Sequence, residues 1–161
     1  MVDLNCKAVV RLTAAYLEGM LQRDRGWIVN VGSIAGLLPI PYMAVYSATK
    51  AFVHQFTEAL DMELRNTNVN LHILAPGPVK TEFFQVSRPD ATDRPLETIF
   101  LNPDRVAKEC IDMLISKNPI HIPDVRMRWG FGLLSQLPFR LRRPLSRRLF
   151  GRAQQLVERS R

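Results

Sequence analysis

The amino-acid sequence predicts an α/β fold, and three observations carry that reading. Short, mainly apolar runs at residues 27–32, 69–74 and 120–122 are bounded by polar or Gly/Pro clusters, the signature of buried strands. Longer segments at residues 2–22, 43–66 and 103–116 place apolar residues at helical spacing. The two kinds alternate, helix then strand, three times over, which is the order of right-handed βαβ units around a parallel sheet of about three strands.

Each element has its own justification. In the first helix Asp3 stands near the start, where the helix dipole favours an acid. Leu4, Ala8, Leu12, Ala15 and Leu21, with Val9 and Tyr16 beside them, form an apolar stripe. Gln22-Arg23-Asp24-Arg25-Gly26 is a polar turn, and Trp27-Ile28-Val29-Asn30-Val31 then reads as a strand apolar on both faces, as helix-covered parallel strands are. Gly36 to Met43 is a loop too apolar for ordinary exposure, with Leu37, Leu38, Ile40, Tyr42 and Met43. It packs on a neighbour or walls a pocket for an apolar substrate, and its place between Ser33 and Tyr46 favours the pocket. The second helix carries Val53, Phe56, Leu60 and Leu64 and ends at Asn66-Thr67-Asn68. Pro76-Gly77-Pro78 stops the next strand abruptly. Residues 82–101 hold scattered aromatics without a clean period. Asn102-Pro103-Asp104 is a helix start, with an N-cap Asn, Pro at the first helical position and an acid in the first turn. Ile120-His121-Ile122 is a short third strand.

Composition narrows the setting. The 161 residues favour one domain with a real core. Cys6 and Cys110 lie far apart without a C-x-x-C pair, so neither zinc nor a redox couple is implied, and a reduced cytoplasmic setting fits. Asp3, Lys7 and Arg11 in the first turns do not read as a secretory signal, and no apolar run approaches the ~20 residues of a membrane span. The formal charge of +7 is unevenly spread. Residues 1–124 hold 12 Lys/Arg and 14 Asp/Glu, whereas residues 125–161 hold 10 Arg and one acid, Glu158. The division is therefore a near-neutral body, residues 1–124, and a basic tail, residues 125–161.

One stretch carries chemistry. Tyr46 and Lys50 are four apart, so on a helix both leave one face. A cation held beside a phenol favours the phenolate and makes it a usable proton donor and acceptor. Ser33 closes the first strand, so its hydroxyl stands at the carboxyl end, where open α/β sheets bind ligands.

Ser33, Tyr46 and Lys50, in that order and spacing, resemble the catalytic signature of the short-chain dehydrogenase/reductases. Asn5, in Asp3-Leu4-Asn5-Cys6-Lys7-Ala8, is similar to that family's fourth catalytic residue, and Ala75-Pro76-Gly77-Pro78-Val79-Lys80-Thr81 to its loop against the nicotinamide. The likeness runs from residue 1 to about residue 125. It implies the catalytic part of a Rossmann-like domain and an NAD- or NADP-dependent oxidoreductase acting on a carbonyl or alcohol. Asn5, Ser33, Tyr46 and Lys50 would be catalytic, and Tyr46, Lys50, Pro76, Gly77, Val79 and Thr81 would hold the cofactor. Residues 82–101 would be a substrate lid, with Ser33, Leu38, Tyr42, Phe83, Phe84 and Phe100 around an apolar substrate. A homo-oligomer through the two long helices would follow. The tail and the 37–43 loop resemble hydroxysteroid and long-chain 3-oxoacyl reductase-like members, which implies a lipid-like substrate.

The chain departs from that pattern in one respect. None of its eight glycines falls in a G-x-x-x-G-x-G or G-x-G-x-x-G arrangement, so the turn that cradles a dinucleotide's pyrophosphate is not in this sequence. In the family that turn precedes the helix with which this sequence opens. Met1 is then an internal residue of a longer protein, or the chain is a truncated product, or it pairs with a separate N-terminal half. The first strand would be left as an open edge. The alternative function is a non-catalytic remnant or interaction module. A serine hydrolase is excluded by spacing, since Gly32-Ser33-Ile34-Ala35-Gly36 is not G-x-S-x-G. His54, His72 and His121 have no evident acid partner and read as packed or surface residues.

The tail sets Arg126, Arg128, Arg140, Arg142, Arg143, Arg147, Arg148 and Arg152 among Trp129, Phe131, Leu133, Leu134, Leu137, Phe139, Leu141, Leu145, Leu149 and Phe150. Leu145, Leu149, Ala153, Leu156 and Val157 share one helical face, and Pro138 and Pro144 are expected to break the segment into short pieces. A basic amphipathic helix of this kind suits an anionic membrane surface. A helix packed over the substrate mouth is the second reading, and nucleic acid, for which no motif is present, is a distant third.

Overall fold

A computed structural model of the chain describes residues 1–80, 100–115 and 118–158, with residues 149 and 151–158 described as backbone only. Three parallel strands form one sheet in the order β1-β2-β3, with β1 at Gly26–Val31, β2 at Val69–Leu74 and β3 at Ile120–His121. Gly26 pairs with Val69 and Val31 with Leu74 at the ends of the first ladder; Leu74 also pairs with His121. Helix α1 (Ala8–Gln22) continues a π-helical turn at Asp3–Lys7. Helix α2 is Ala44–Glu63, α3 is Pro103–Met113, α4 is Val125–Ser135 and α5 is Phe139–Glu158.

The sheet is covered on both faces of its central strand, where every β2 residue except Asn70 is buried. Leu71 and Val69 pack with Leu64 against Leu17 and Met20 of α1. On the opposite face Leu74 meets Leu101, with Val106 and Met113 of α3. Ile73 and Ala75 complete the core with Ile34 and Ile122, closed by Met127 and Phe131 of α4. Local signals set the joints. Asn102 accepts the Asp104 N–H at 2.8 Å to start α3, and Asp124 accepts from Arg126 N–H at 2.7 Å to start α4, both being side-chain N-caps. The carboxylate of Asp24, at φ 46°, accepts from the Asn68 backbone and side chain and ties two turns together.

The apolar stripe of α1 is largely exposed at Leu4, Leu12 and Tyr16, while the half-buried Leu17 and Met20 face inward. An amphipathic period shows that a helix has an apolar face without showing what covers it. Two expectations are corrected. Strand β1 is not buried on both faces, since Trp27 and Val31 are exposed while Asn30 is buried and donates to Thr57 Oγ1 at 2.9 Å. Among the described residues β1 pairs only with β2, so it is an edge strand. Pro138 does separate α4 from α5, but Pro144 lies inside α5. The Leu141 and Arg142 N–H groups bond Pro138 O at 2.9 and 3.0 Å, so the helix is already started, and Pro144 removes a single donor from its ladder. No helix among the described residues is long and apolar enough to cross a membrane.

Candidate active site

The carboxyl ends of β1 and β2 are stitched together beyond the ladder. Gly32 N–H donates to Leu74 O at 2.8 Å, and Ile34 N–H to Pro76 O at 3.1 Å. Ser33 lies between these bonds with an extended backbone, as N-cap of the short turn Ile34–Gly36. Its Oγ accepts from Ala35 N–H at 3.1 Å and donates to Pro76 O at 3.4 Å. Ser33 and the Pro76-Gly77-Pro78 turn, read separately in the sequence, are thus direct neighbours. A Cβ at Gly77 would displace the flexible end of Met127 on α4, which lies directly over it.

Helix α2 brings its chemistry to the same end of the sheet. Lys50 Nζ donates to Val31 O at 2.8 Å, two residues before Ser33, and stands 5.9 Å from the centre of the Tyr46 ring. Burial pulls the Lys50 ammonium below the usual lysine range, with Cys6 opposing. A partly desolvated ammonium holds its proton less firmly and acts on nearby charge more strongly. Asn5 lies in the π-helical turn and its Nδ2 donates to Thr49 Oγ1 at 3.0 Å, locking that turn to α2 beside Lys50. Single π turns are frequent at functional sites.

His54, which the sequence marks only as packed or surface, is a packed residue that also touches the site. It is buried, and its Nε2 lies 3.0 Å from Ser33 O. Nε2 also lies 3.5 Å from Ser33 N, and the shorter contact to the carbonyl favours the tautomer with its proton on Nε2. Burial, opposed by this bond and reinforced by Lys50, lowers its pKa from the usual histidine range. Nδ1 is buried with no partner among the described residues, so a charge on the ring is disfavoured under Ser33. The signal was available: Tyr46, Lys50 and His54 are successive i+4 positions on one face of α2. His121 also has the acid partner the sequence did not show, with Nε2 at 3.0 Å from Glu109 Oε2.

The remaining expected residues are placed as follows. Val79 bridges Leu101, and Lys80 N–H bonds Leu101 O at 3.0 Å, which fixes the outgoing end of the Pro76 loop. Phe100 is half-buried next to it. Thr81, Phe83 and Phe84, with residues 82–99 of the expected lid, lie outside the described residues. Leu38 and Tyr42 line a cleft against α5 that is not lined by Ser33, Tyr46 or Lys50.

A parallel sheet with a serine and a lysine at the carboxyl end of its strands, and a tyrosine ring 5.9 Å from the lysine, has the end at which open α/β folds bind ligands. The donor set fits the nicotinamide end of a dinucleotide: a half-buried ammonium, a phenol, a hydroxyl and the backbone of the Pro76 turn. Residues 1–92 match the family model for short chain dehydrogenase, and the chain belongs to that family. It is 31% identical over 134 residues to the very-long-chain 3-oxoacyl-CoA reductase of Anas platyrhynchos, covering 83% of this chain and 41% of that protein. The solved short-chain dehydrogenase from Sphingobium yanoikuyae in complex with NADPH matches with a TM-score of 0.70 at 27% identity, over 86% of this chain and 56% of that one. A solved 7beta-hydroxysteroid dehydrogenase has the same fold, at a TM-score of 0.77 and 22% identity, over 94% of this chain and 57% of that one. The chain therefore spans about half the length, or less, of the relatives it matches.

Proposed function

We propose that the chain carries the proton-transfer part of an NAD- or NADP-dependent oxidoreductase interconverting a carbonyl and an alcohol on an apolar, lipid-like substrate. The observation that carries this reading is the half-buried Lys50 ammonium, one turn from Tyr46 and bonded at 2.8 Å to the strand end that leads into Ser33. The nicotinamide, when bound, supplies or accepts the hydride. Tyr46 gives the proton to the substrate oxygen in reduction and takes it in oxidation. Lys50 stabilises the negative charge that develops on the phenol oxygen as its proton leaves, and binds the nicotinamide ribose. Ser33 donates to the substrate oxygen, and to do so its hydroxyl leaves the long 3.4 Å contact with Pro76 O. Asn5, held by Thr49, completes the proton route toward Lys50. Pro76, Gly77, Val79 and Thr81 hold the nicotinamide end, while Phe83, Phe84 and Phe100 supply apolar surface.

The test is Tyr46→Phe in a form of the protein that turns over an apolar ketone with NADPH. Loss of the general acid is expected to cost about 10²–10⁴ in turnover with cofactor affinity nearly unchanged. Turnover at the parent rate refutes the mechanism.

A second reading, a non-catalytic interaction module, is favoured by the exposed apolar residues of the first two helices. Titrating NADPH into the 161-residue chain separates the two, since the oxidoreductase reading expects enhanced nicotinamide fluorescence and the module reading none. The exposed apolar faces of the two long helices, with Leu4, Leu12 and Tyr16 on the first and Val45 and Phe52 on α2, support self-association through them.

A further inference from the structure

We propose that the cleft between α5 and the 36–43 loop is a binding site for a single-chain amphiphile with a phosphate head. The cleft has a volume of about 1580 Å³. One wall is apolar, with Leu37, Leu38 and Ile40 from the loop and the small side chains of Ala48 and Ala51 from α2. The opposite wall is cationic, with Arg140, Arg142, Arg143, Arg147 and Arg148 from α5. None of these arginines has an ion pair among the described residues. Arg142 Nε is buried with no hydrogen-bond partner among the described residues, a donor in want of an acceptor. Arg143 rests on the Phe139 ring at 5.2 Å, so its guanidinium is held in place. The two walls are fixed to each other by the Ser146 hydroxyl, which donates to Pro39 O.

An unpaired guanidinium cluster selects an anion rich in acceptor oxygens, and phosphate is the best match to its fork of donors. The facing alkyl wall selects a ligand with an apolar chain. The site is separate from the redox chemistry, because Ala44, Ala48 and Ala51 lie on the opposite face of α2 from Tyr46 and Lys50. The proposal does not rest on the oxidoreductase reading.

Calorimetric titration of the 161-residue chain with dodecyl phosphate below its micelle concentration, inorganic phosphate and dodecyl maltoside tests both walls. Dodecyl phosphate is expected to bind about tenfold or more tightly than either control. R140Q/R147Q changes only exposed side chains and is expected to weaken it by about tenfold, with helix content by circular dichroism unchanged. R142Q is expected to do the same through the orphan donor. Equal binding of dodecyl phosphate and inorganic phosphate overturns the proposal, as does equal binding of dodecyl phosphate and dodecyl maltoside. Dodecyl phosphate affinity unchanged in R140Q/R147Q also overturns it. Flotation with phosphatidylserine-containing vesicles in the absence of any dodecyl phosphate binding assigns the arginines to a membrane surface instead and equally overturns it.

Discussion

A buried imidazole under Ser33 gives the site a pH dependence whose sign follows from one bond and one empty position. His54 Nε2 donates to Ser33 O, and Nδ1 has no partner among the described residues. Protonation would place a charge against buried apolar surface with Lys50 nearby, and the folded-state pKa is accordingly lowered from 6.5. Below about pH 6.5 the unfolded chain binds the proton more readily than the folded one, so this group makes stability fall as pH falls through that range. Urea midpoints at pH 7.5 and 5.5 are expected to drop in the parent and to drop less in His54→Gln. An equal drop in both removes His54 as the cause. Two glycines make room for this arrangement. A Cβ on Gly32 would come within 2.6 Å of His54 Nε2, and one on Gly36 within 2.7 Å of the Lys50 backbone carbon. Backbone cannot yield as a flexible side chain does, so Gly36→Ala is expected to destabilise by about 1–3 kcal/mol and to displace Lys50, measured as a lower thermal midpoint together with weaker nicotinamide binding.

At the scale of elements, what could be read in advance was what is written locally. The Asn102-Pro103-Asp104 start of α3 was legible because a cap is a property of three residues. Asn102→Ala is expected to cost about 1 kcal/mol, seen as a lowered denaturant midpoint without change in the sheet core. The strands were legible from their apolar runs, each bounded within a residue of the observed ends. The π turn at Asp3–Lys7 was not, since it depends on where the α1 register meets Thr49 of α2. Pro144 was misread for a related reason: a breaker's weight depends on whether neighbouring bonds already hold the helix, as those to Pro138 O do. Tyr46 and Lys50 could be named as candidates from spacing and Asn5 from the family resemblance, and His54 continues the same i+4 face, whereas its contact with Ser33 and the α5 arginine cleft depend on which surfaces fold together.

At the scale of the whole molecule the chain leaves two kinds of surface open, and they predict different assemblies. The β1 edge exposes Val31 (55%) and Trp27 (44%) together with backbone groups that β2 does not use, the kind of edge that templates pairing with another chain. The outer faces of α1 and α2 expose Leu12 (58%), Tyr16 (64%) and Phe52 (41%), and a helical patch of this kind suits a closed, self-complementary contact. A closed contact gives a dimer whose size stops growing with concentration. Edge pairing gives species that continue to grow. Sedimentation velocity over a tenfold or wider concentration range is expected to show a dimer in the parent. Leu12→Glu with Phe52→Glu is expected to return it to monomer with helix content intact, because both side chains are exposed and support no core. Val31→Lys, which charges the strand edge, is expected to suppress only species larger than the dimer. If Val31→Lys dissolves the dimer while the helix variant retains it, the strand edge and not the helix pair is the association surface.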